Sequence, residues 1–251
     1  METSVDEHTA IAGHRFTTNG HELSINYTKT RVMPVDAGLL ERNRVISSCR
    51  HMLRAANQVK TMRTRVVKAL EKLGGNCILV AGARSGEGRT LSAINLAISI
   101  AQQVDRTSLL VDADLRDPPN PMHAYFGWDR QPGLSGYLLG KVKVEDALVC
   151  PGINRMVVFP SGRQLDASSE ALGGPRMAGL VAEMKARYDD RVILLDSPPL
   201  LERADALVLS RLVDGVILVV EAERTSTRDV EQCLELLADR PIIGTIFNKA
   251  R

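Results

Sequence analysis

A chain of 251 residues is the length of one ordinary α/β domain or of two small ones, and it is long enough to bury a substantial core. With 44% hydrophobic and 25% charged residues it is too apolar for a disordered protein and too mixed for a fibrous one. Lys and Arg number 32 against 30 Asp and Glu, so no global charge attracts nucleic acid, and no nucleic acid partner is expected.

Residues 1–36 are polar, with no sustained apolar period, and are expected to form a flexible N-terminal tail. The opening METSVDEHTA lacks a basic-then-apolar start, so no secretory leader is expected and a cytoplasmic location follows. Residues 37–73 change character. Leu39, Leu40, Val45, Ile46, Leu53, Val59, Met62, Val66, Val67 and Leu70 recur at helical intervals without an intervening Pro, which predicts one or two amphipathic helices. From Glu41 to Lys72 this segment carries nine Lys/Arg and two acids, a net of +7. It reads either as a solvated helix face or as a docking surface for an acidic partner or a sister subunit.

After Gly74–Gly75, short apolar runs over 77–82, 108–112, 156–159, 192–196, 215–220 and 242–247 alternate with amphipathic runs over 90–103, 174–188, 204–212 and 227–238. Strands continuous in Val, Ile and Leu are expected to be buried on both faces, and strand–helix repetition implies right-handed crossovers. The expected fold class is therefore α/β, a mostly parallel sheet flanked by helices, occupying 74–251. No apolar run approaches the ~20 residues of a bilayer-crossing helix. Cys49, Cys77, Cys150 and Cys233 show no C-x-x-C spacing and read as reduced packing thiols. The five histidines lack paired ligand spacing, so no zinc site is expected.

Ligands of parallel sheets bind beyond the carboxyl ends of the strands, so the residues there are read for chemistry. The first strand ends in Ala83-Arg84-Ser85-Gly86-Glu87-Gly88-Arg89-Thr90, directly followed by LSAINLAISIA. A small-residue loop opening a helix lets backbone N–H groups wrap an anion, with the helix dipole adding positive charge. The pattern approaches G-x-x-x-x-G-K-[ST], with Ala83 for the first Gly and Arg89 for the Lys. Arg keeps the charge but is longer, planar and forked, so it reaches phosphate from a different place. From the loop alone, another Gly-rich turn stays open. Two further strand ends narrow it: Leu109-Leu110-Val111-Asp112-Ala113-Asp114-Leu115-Arg116, and Val192-Ile193-Leu194-Leu195-Asp196-Ser197-Pro198-Pro199. Asp112 and Asp114, two apart, are placed to serve one metal or one proton transfer, and Asp196 to hold Mg²⁺ directly or through water.

SGEGRT with its helix, LLVDADLRDP and VILLDSPPL together resemble the bacterial tyrosine kinases of capsule and exopolysaccharide synthesis, the CpsD/CapB-type cytoplasmic module. The resemblance runs from about 58 to 248 and implies a P-loop NTPase architecture of the MinD/Mrp type. It implies ATP and Mg²⁺ as cofactors, held by Ser85, Gly86, Glu87, Gly88, Arg89 and Thr90, with Asn248 on the adenine; a turn-forming Asn is the other reading of that residue. Thr90, Asp112 and Asp196 would hold the metal. Asp112, Asp114 and Arg89 would be catalytic, one acid orienting or deprotonating the tyrosine hydroxyl, and Arg116 matches the Arg of the same motif.

The family also implies a membrane-embedded polysaccharide co-polymerase or chain-length protein as partner, recruitment to the inner face of the membrane, and homo-oligomers built on 41–72. The chain departs from the family at three places: Arg89, the Asn57-x-x-Lys60-x-x-Arg63 stretch where the family has Glu-x-x-Arg-x-x-Arg, and the lack of any tyrosine after Tyr188. A nucleotide-binding pseudokinase is thus an alternative to a kinase. A positioning ATPase fits less well, because Arg84 stands where that group carries Lys. Tyr125 and Tyr137 read as core residues or as phosphorylation sites, and Asp205 as a solvated helix residue.

Overall fold

The structure is a computed structural model that describes residues 17–18, 21–22, 30–45, 53–116, 118 and 121–250. In chain order it contains β1 (Thr17–Thr18), β2 (His21–Glu22), β3 (Arg31–Val32), α1 (Ala37–Arg42), α2 (Leu53–Leu73), β4 (Cys77–Gly82), α3 (Arg89–Ala101) and β5 (Thr107–Asp112). There follow α4 (Met122–Phe126), α5 (Leu134–Leu138), α6 (Val144–Ala147), β6 (Val149–Cys150), β7 (Met156–Phe159), α7 (Ser168–Leu172) and α8 (Pro175–Arg187). The chain continues through β8 (Arg191–Asp196), α9 (Ala204–Ser210), β9 (Gly215–Glu221), α10 (Thr227–Leu236) and β10 (Ile242–Asn248).

Eight strands form one sheet in the order β10-β9-β4-β8-β5-β7-β6-β3. Every pairing in it is parallel except β6 with β7. The order places β8 between β4 and β5, so the end of β8 falls between the glycine loop and the end of β5. Strand period two divides the core into layers. Cys77, Leu79 and Ala81 of β4 face one layer with Met177, Leu180 and Leu209, while Ile78 and Val80 face the other with Val66, Leu70, Ile94 and Ile98. Truncating one such side chain to Ala costs about 2–5 kcal/mol in a closed core. The two edge strands are the exceptions to burial on both faces: β3 is exposed, and β10 is half-exposed with Phe247 65% exposed.

The six predicted strands and four predicted helices of 74–251 are present, with no end displaced by more than two residues. α4, α5, α6 and α7 have four or five residues each, too short to show a helical period. Most of the expected tail, along with Cys49, lies outside the described residues. Its last part is in the sheet, since β3 pairs parallel with β6 and Met33 N–H donates to the Cys150 carbonyl at 2.8 Å. α1 starts at Asp36, whose carboxylate accepts from Leu39 N–H at 2.7 Å, a standard N-cap. α2 buries Val66, Val67 and Leu70 and turns its charged side outward. Cys77, Cys150 and Cys233 are free and buried.

Candidate functional site

The loop between β4 and α3 is shaped by two glycines in left-handed backbone, Gly86 at φ +84° and Gly88 at φ +89°. Gly88 is the N-cap of α3 and supplies no side-chain cap, so the first-turn amides stay open to a ligand. A Cβ on Gly88 would stand 2.1 Å from the Asn248 amide nitrogen. Gly82 is constrained from beneath: a Cβ there would meet Glu87 Oε2 at 2.5 Å and Arg89 Cδ at 2.9 Å, because both side chains fold across the strand end.

Distant residues hold the loop by its carbonyls and flanks. Asn248 Nδ2 donates to the Glu87 carbonyl at 2.8 Å and Lys249 Nζ to the Gly86 carbonyl at 2.9 Å. Thr225 Oγ1 donates to Glu87 Oε1 at 2.7 Å, and Ser85 N–H to Glu202 Oε1 at 3.0 Å. Arg84 forks onto Asp229 with bonds of 2.7 and 3.2 Å, so the position where positioning ATPases carry Lys is tied down within the chain. Glu87 is 2% exposed; its side chain turns inward, and it is its backbone that lines the loop.

Parallel pairing sets Asp112 of β5 directly opposite Asp196 of β8. Both are buried. Burial, and then the charges of Asp196 and Asp114, push the Asp112 carboxyl up to about 8, against hydrogen bonds from Ser161 and the Asp114 amide. Burial also raises Asp196, to about 7, opposed by the charge of Arg89 and the Thr90 hydroxyl bonded to it. Asp114, beyond the strand end, donates its N–H to Asp112 Oδ1 at 3.3 Å and accepts the Arg116 N–H at 3.3 Å. Burial raises its pKa, with the Arg116 amide and Arg89 acting the other way.

Arg89 is 7% exposed and its guanidinium lies inside the loop, Nη1 donating to the Arg84 carbonyl at 3.4 Å. Asp114 and Asp196 both feel its charge. The predicted residues of the loop, Asp112, Asp114, Asp196 and Asn248 therefore converge at one place.

Three buried polar atoms there lack partners: Asp196 Oδ1, Arg89 Nε and Glu87 Oε2. An unpartnered buried carboxylate oxygen beside a second carboxylate fits a cation, and open amides beside an arginine fit an anion. Among the described residues no three His, Cys, Asp or Glu side chains form a self-contained metal cage. Mg²⁺ needs none, since it keeps waters and binds through one or two carboxylates together with substrate phosphates. A Mg-nucleotide thus suits the residues present. A surface depression adjoins Asp114, lined among others by His123, Arg130, Ser161 and Arg163.

Other residues sit differently from their sequence reading. Asp205 is not solvated: it is 0% exposed, accepting from the Ser168 hydroxyl and from Ser169 Oγ at 2.9 Å. Ser168 in turn accepts from Arg116 Nε at 2.6 Å, so the arginine after Asp114 is anchored to α7 and α9. Arg63 turns inward to the Ser99 carbonyl at 3.0 Å. Tyr125 and Tyr137 are half-buried against the core, Tyr137 edge-on to Phe159 at 6.4 Å. Ser161, Glu202, Thr225 and Lys249 were not anticipated; only Lys249, next to Asn248, had a neighbour in sequence to draw attention to it.

The AAA domain family matches residues 75–240. The tyrosine-protein kinase YwqD of Bacillus subtilis is 32% identical over 195 residues, covering 77% of this chain and 80% of YwqD. The chain belongs to the bacterial tyrosine-kinase family. EpsB of Ralstonia solanacearum is also 32% identical, over 197 residues and 76% of this chain, but the chain spans only 25% of EpsB. Among solved structures, the VpsO kinase domain superposes with a TM-score of 0.69 at 30% identity, over 79% of this chain and 97% of that domain. The P-loop fold extends to MinD of Pyrococcus horikoshii, solved with Mg-ADP, at a TM-score of 0.56, 24% identity, and 68% and 69% coverage. The likeness in fold thus spans a kinase domain of this family and, over about two thirds of this chain, such an ATPase. No helix among the described residues is long and apolar enough to cross a membrane.

Proposed function

We propose that the chain binds Mg-ATP and transfers its γ-phosphoryl group to protein tyrosine, regulating polymerisation or export of an exopolysaccharide or capsule. The observation that carries this reading is the pairing of buried Asp112 and Asp196 beside the uncapped start of α3, with Asp196 Oδ1 lacking a partner. Relatives named tyrosine-protein kinases support the choice of acceptor.

The loop amides from Gly86 to Thr90 bind the phosphates, and Arg89 brings positive charge to them from within the loop. Thr90, Asp196 and Asp112 would hold the metal, which would supply charge neutralisation on the phosphates. Asn248 orients the adenine at the edge of the loop. Asp114 lines a surface depression beside the loop and, with its pKa raised by burial, is placed to orient the tyrosine hydroxyl and accept its proton. Positioning and charge neutralisation are most of what phosphoryl transfer requires. In the cell the chain works beside a membrane-embedded chain-length protein that recruits it to the inner face.

The fold of Arg89 onto the Arg84 carbonyl favours a second reading, a pseudokinase in which nucleotide sets conformation only. One assay separates the two. Purified protein with Mg²⁺ and γ-labelled ATP, alone and with the partner's cytoplasmic segment, labels tyrosine if it is a kinase. Nucleotide binding without label leaves the pseudokinase, and no binding at all refutes both.

A further inference from the structure

α2 carries one acid and six basic residues over its 21 positions. At ~100° per residue, Arg54, Thr61, Arg65, Lys68 and Lys72 fall within roughly 60° of arc, a straight stripe about 27 Å long. The buried residues Val66, Val67 and Leu70 lie on the opposite side, so the stripe points directly away from the core. All five stripe residues are exposed. The acid, Glu71, lies off the stripe and is held by Arg106 at 2.6 Å. Arg63 is turned inward onto α3 and takes no part. None of the four stripe cations pairs with a carboxylate among the described residues.

We infer that this stripe is a docking surface for an anionic lipid bilayer. The reasons are geometric and electrostatic. The surface is a convex ridge of long, flexible cations with no large apolar side chain among them. A specific protein interface centres on buried aromatic, aliphatic or Arg anchors in pockets, and the ridge offers none. Diffuse attraction of Lys and Arg to a flat sheet of acidic headgroups needs no pocket. Two copies facing each other through this stripe would set like charges together, so an isologous dimer through it is disfavoured. The inference goes beyond the kinase reading and does not rest on it, because the stripe lies outside the nucleotide site.

The test uses the full chain and vesicles, with nucleotide binding as the control for folding. Vesicles of phosphatidylcholine containing phosphatidylglycerol should sediment the protein at about 0.05 M salt, and progressively less toward ~0.3 M as the Debye length shortens. Pure phosphatidylcholine should not. Removing one cation should weaken partitioning roughly fivefold, so Arg65→Gln/Lys68→Gln/Lys72→Gln should lose about 100-fold. Lys141→Gln/Lys143→Gln, changed on an exposed surface elsewhere, should bind like the parent. Absence of vesicle binding, equal loss in the control variant, or retention in the triple variant would overturn the proposal. So would binding of poly-glutamate through the stripe without binding of vesicles, which would make it a protein-docking surface. Unchanged nucleotide binding in the triple variant separates these outcomes from misfolding and from failure of the kinase reading.

Discussion

Asp112→Asn is expected to stabilise the ligand-free chain by an amount that grows as pH rises above about 4. Adjacent strands stand ~4.8 Å apart, so the facing carboxyls of Asp112 and Asp196 lie at about that separation; two charges ~5 Å apart at an effective dielectric of ~20 repel by about 3 kcal/mol. The folded pKa of Asp112 is pushed up to about 8, whereas an unfolded Asp titrates near ~3.9. Between those values the native state binds more protons than the unfolded state, so stability falls as pH rises from about 4 through about 8. The amide of Asn imitates the neutral acid and keeps an oxygen for the Ser161 and Asp114 donors. At about pH 4 the variant should melt with the parent. By about pH 6, ~2 units above the unfolded pKa, it should be more stable by about 3 kcal/mol, or roughly 6–12 °C for a chain of this size. Scanning calorimetry across pH, without nucleotide or divalent cations, reads this directly. A gain of equal size at both pH values, or a loss at the higher one, would refute the reasoning. Adding Mg²⁺ and ATP should reverse the ranking, since the parent then gains a ligand that the variant holds poorly.

Arg89→Lys should raise phosphoryl-transfer turnover, because a compact ammonium reaches the phosphates without folding back onto the Arg84 carbonyl; an unchanged or lower rate in the γ-labelled assay counts against that account. Gly88→Ala should abolish nucleotide binding measured by calorimetry, since the residue is at φ +89° and a Cβ would strike Asn248; wild-type affinity would show that the loop is not the binding element. Asp205→Ala should lower unfolding free energy by about 3 kcal/mol, through loss of two charge-assisted bonds and the stranding of buried hydroxyls. Urea melts would show it, and a change below ~0.5 kcal/mol would mean the network carries no stability.

Much of the site could be read along the chain because its parts are local. Val, Ile and Leu run unbroken through β4, β5, β8 and β9, and each strand announces its end by a glycine loop or an acid. Helical period marked α2, α3, α8 and α10, whereas the short helices between 122 and 172 left no period to detect.

What the linear order does not contain is which strands become neighbours. The sheet order sets β8 between β4 and β5, and only then does Asp196 face Asp112 and receive the Thr90 hydroxyl. It also brings β9 alongside β4 and β10 next to β9, so Asn248 reaches the loop from 161 residues away and Thr225 from 138. Asp205 makes the same point in reverse. A charged residue in the first turn of a short helix looks solvated in sequence, yet α7 packs on α9 and closes two serines over it. Residue type fixed what each group can do, while crossover packing decided which groups lose water together, and burial is what shifts their pKa values and makes them a site.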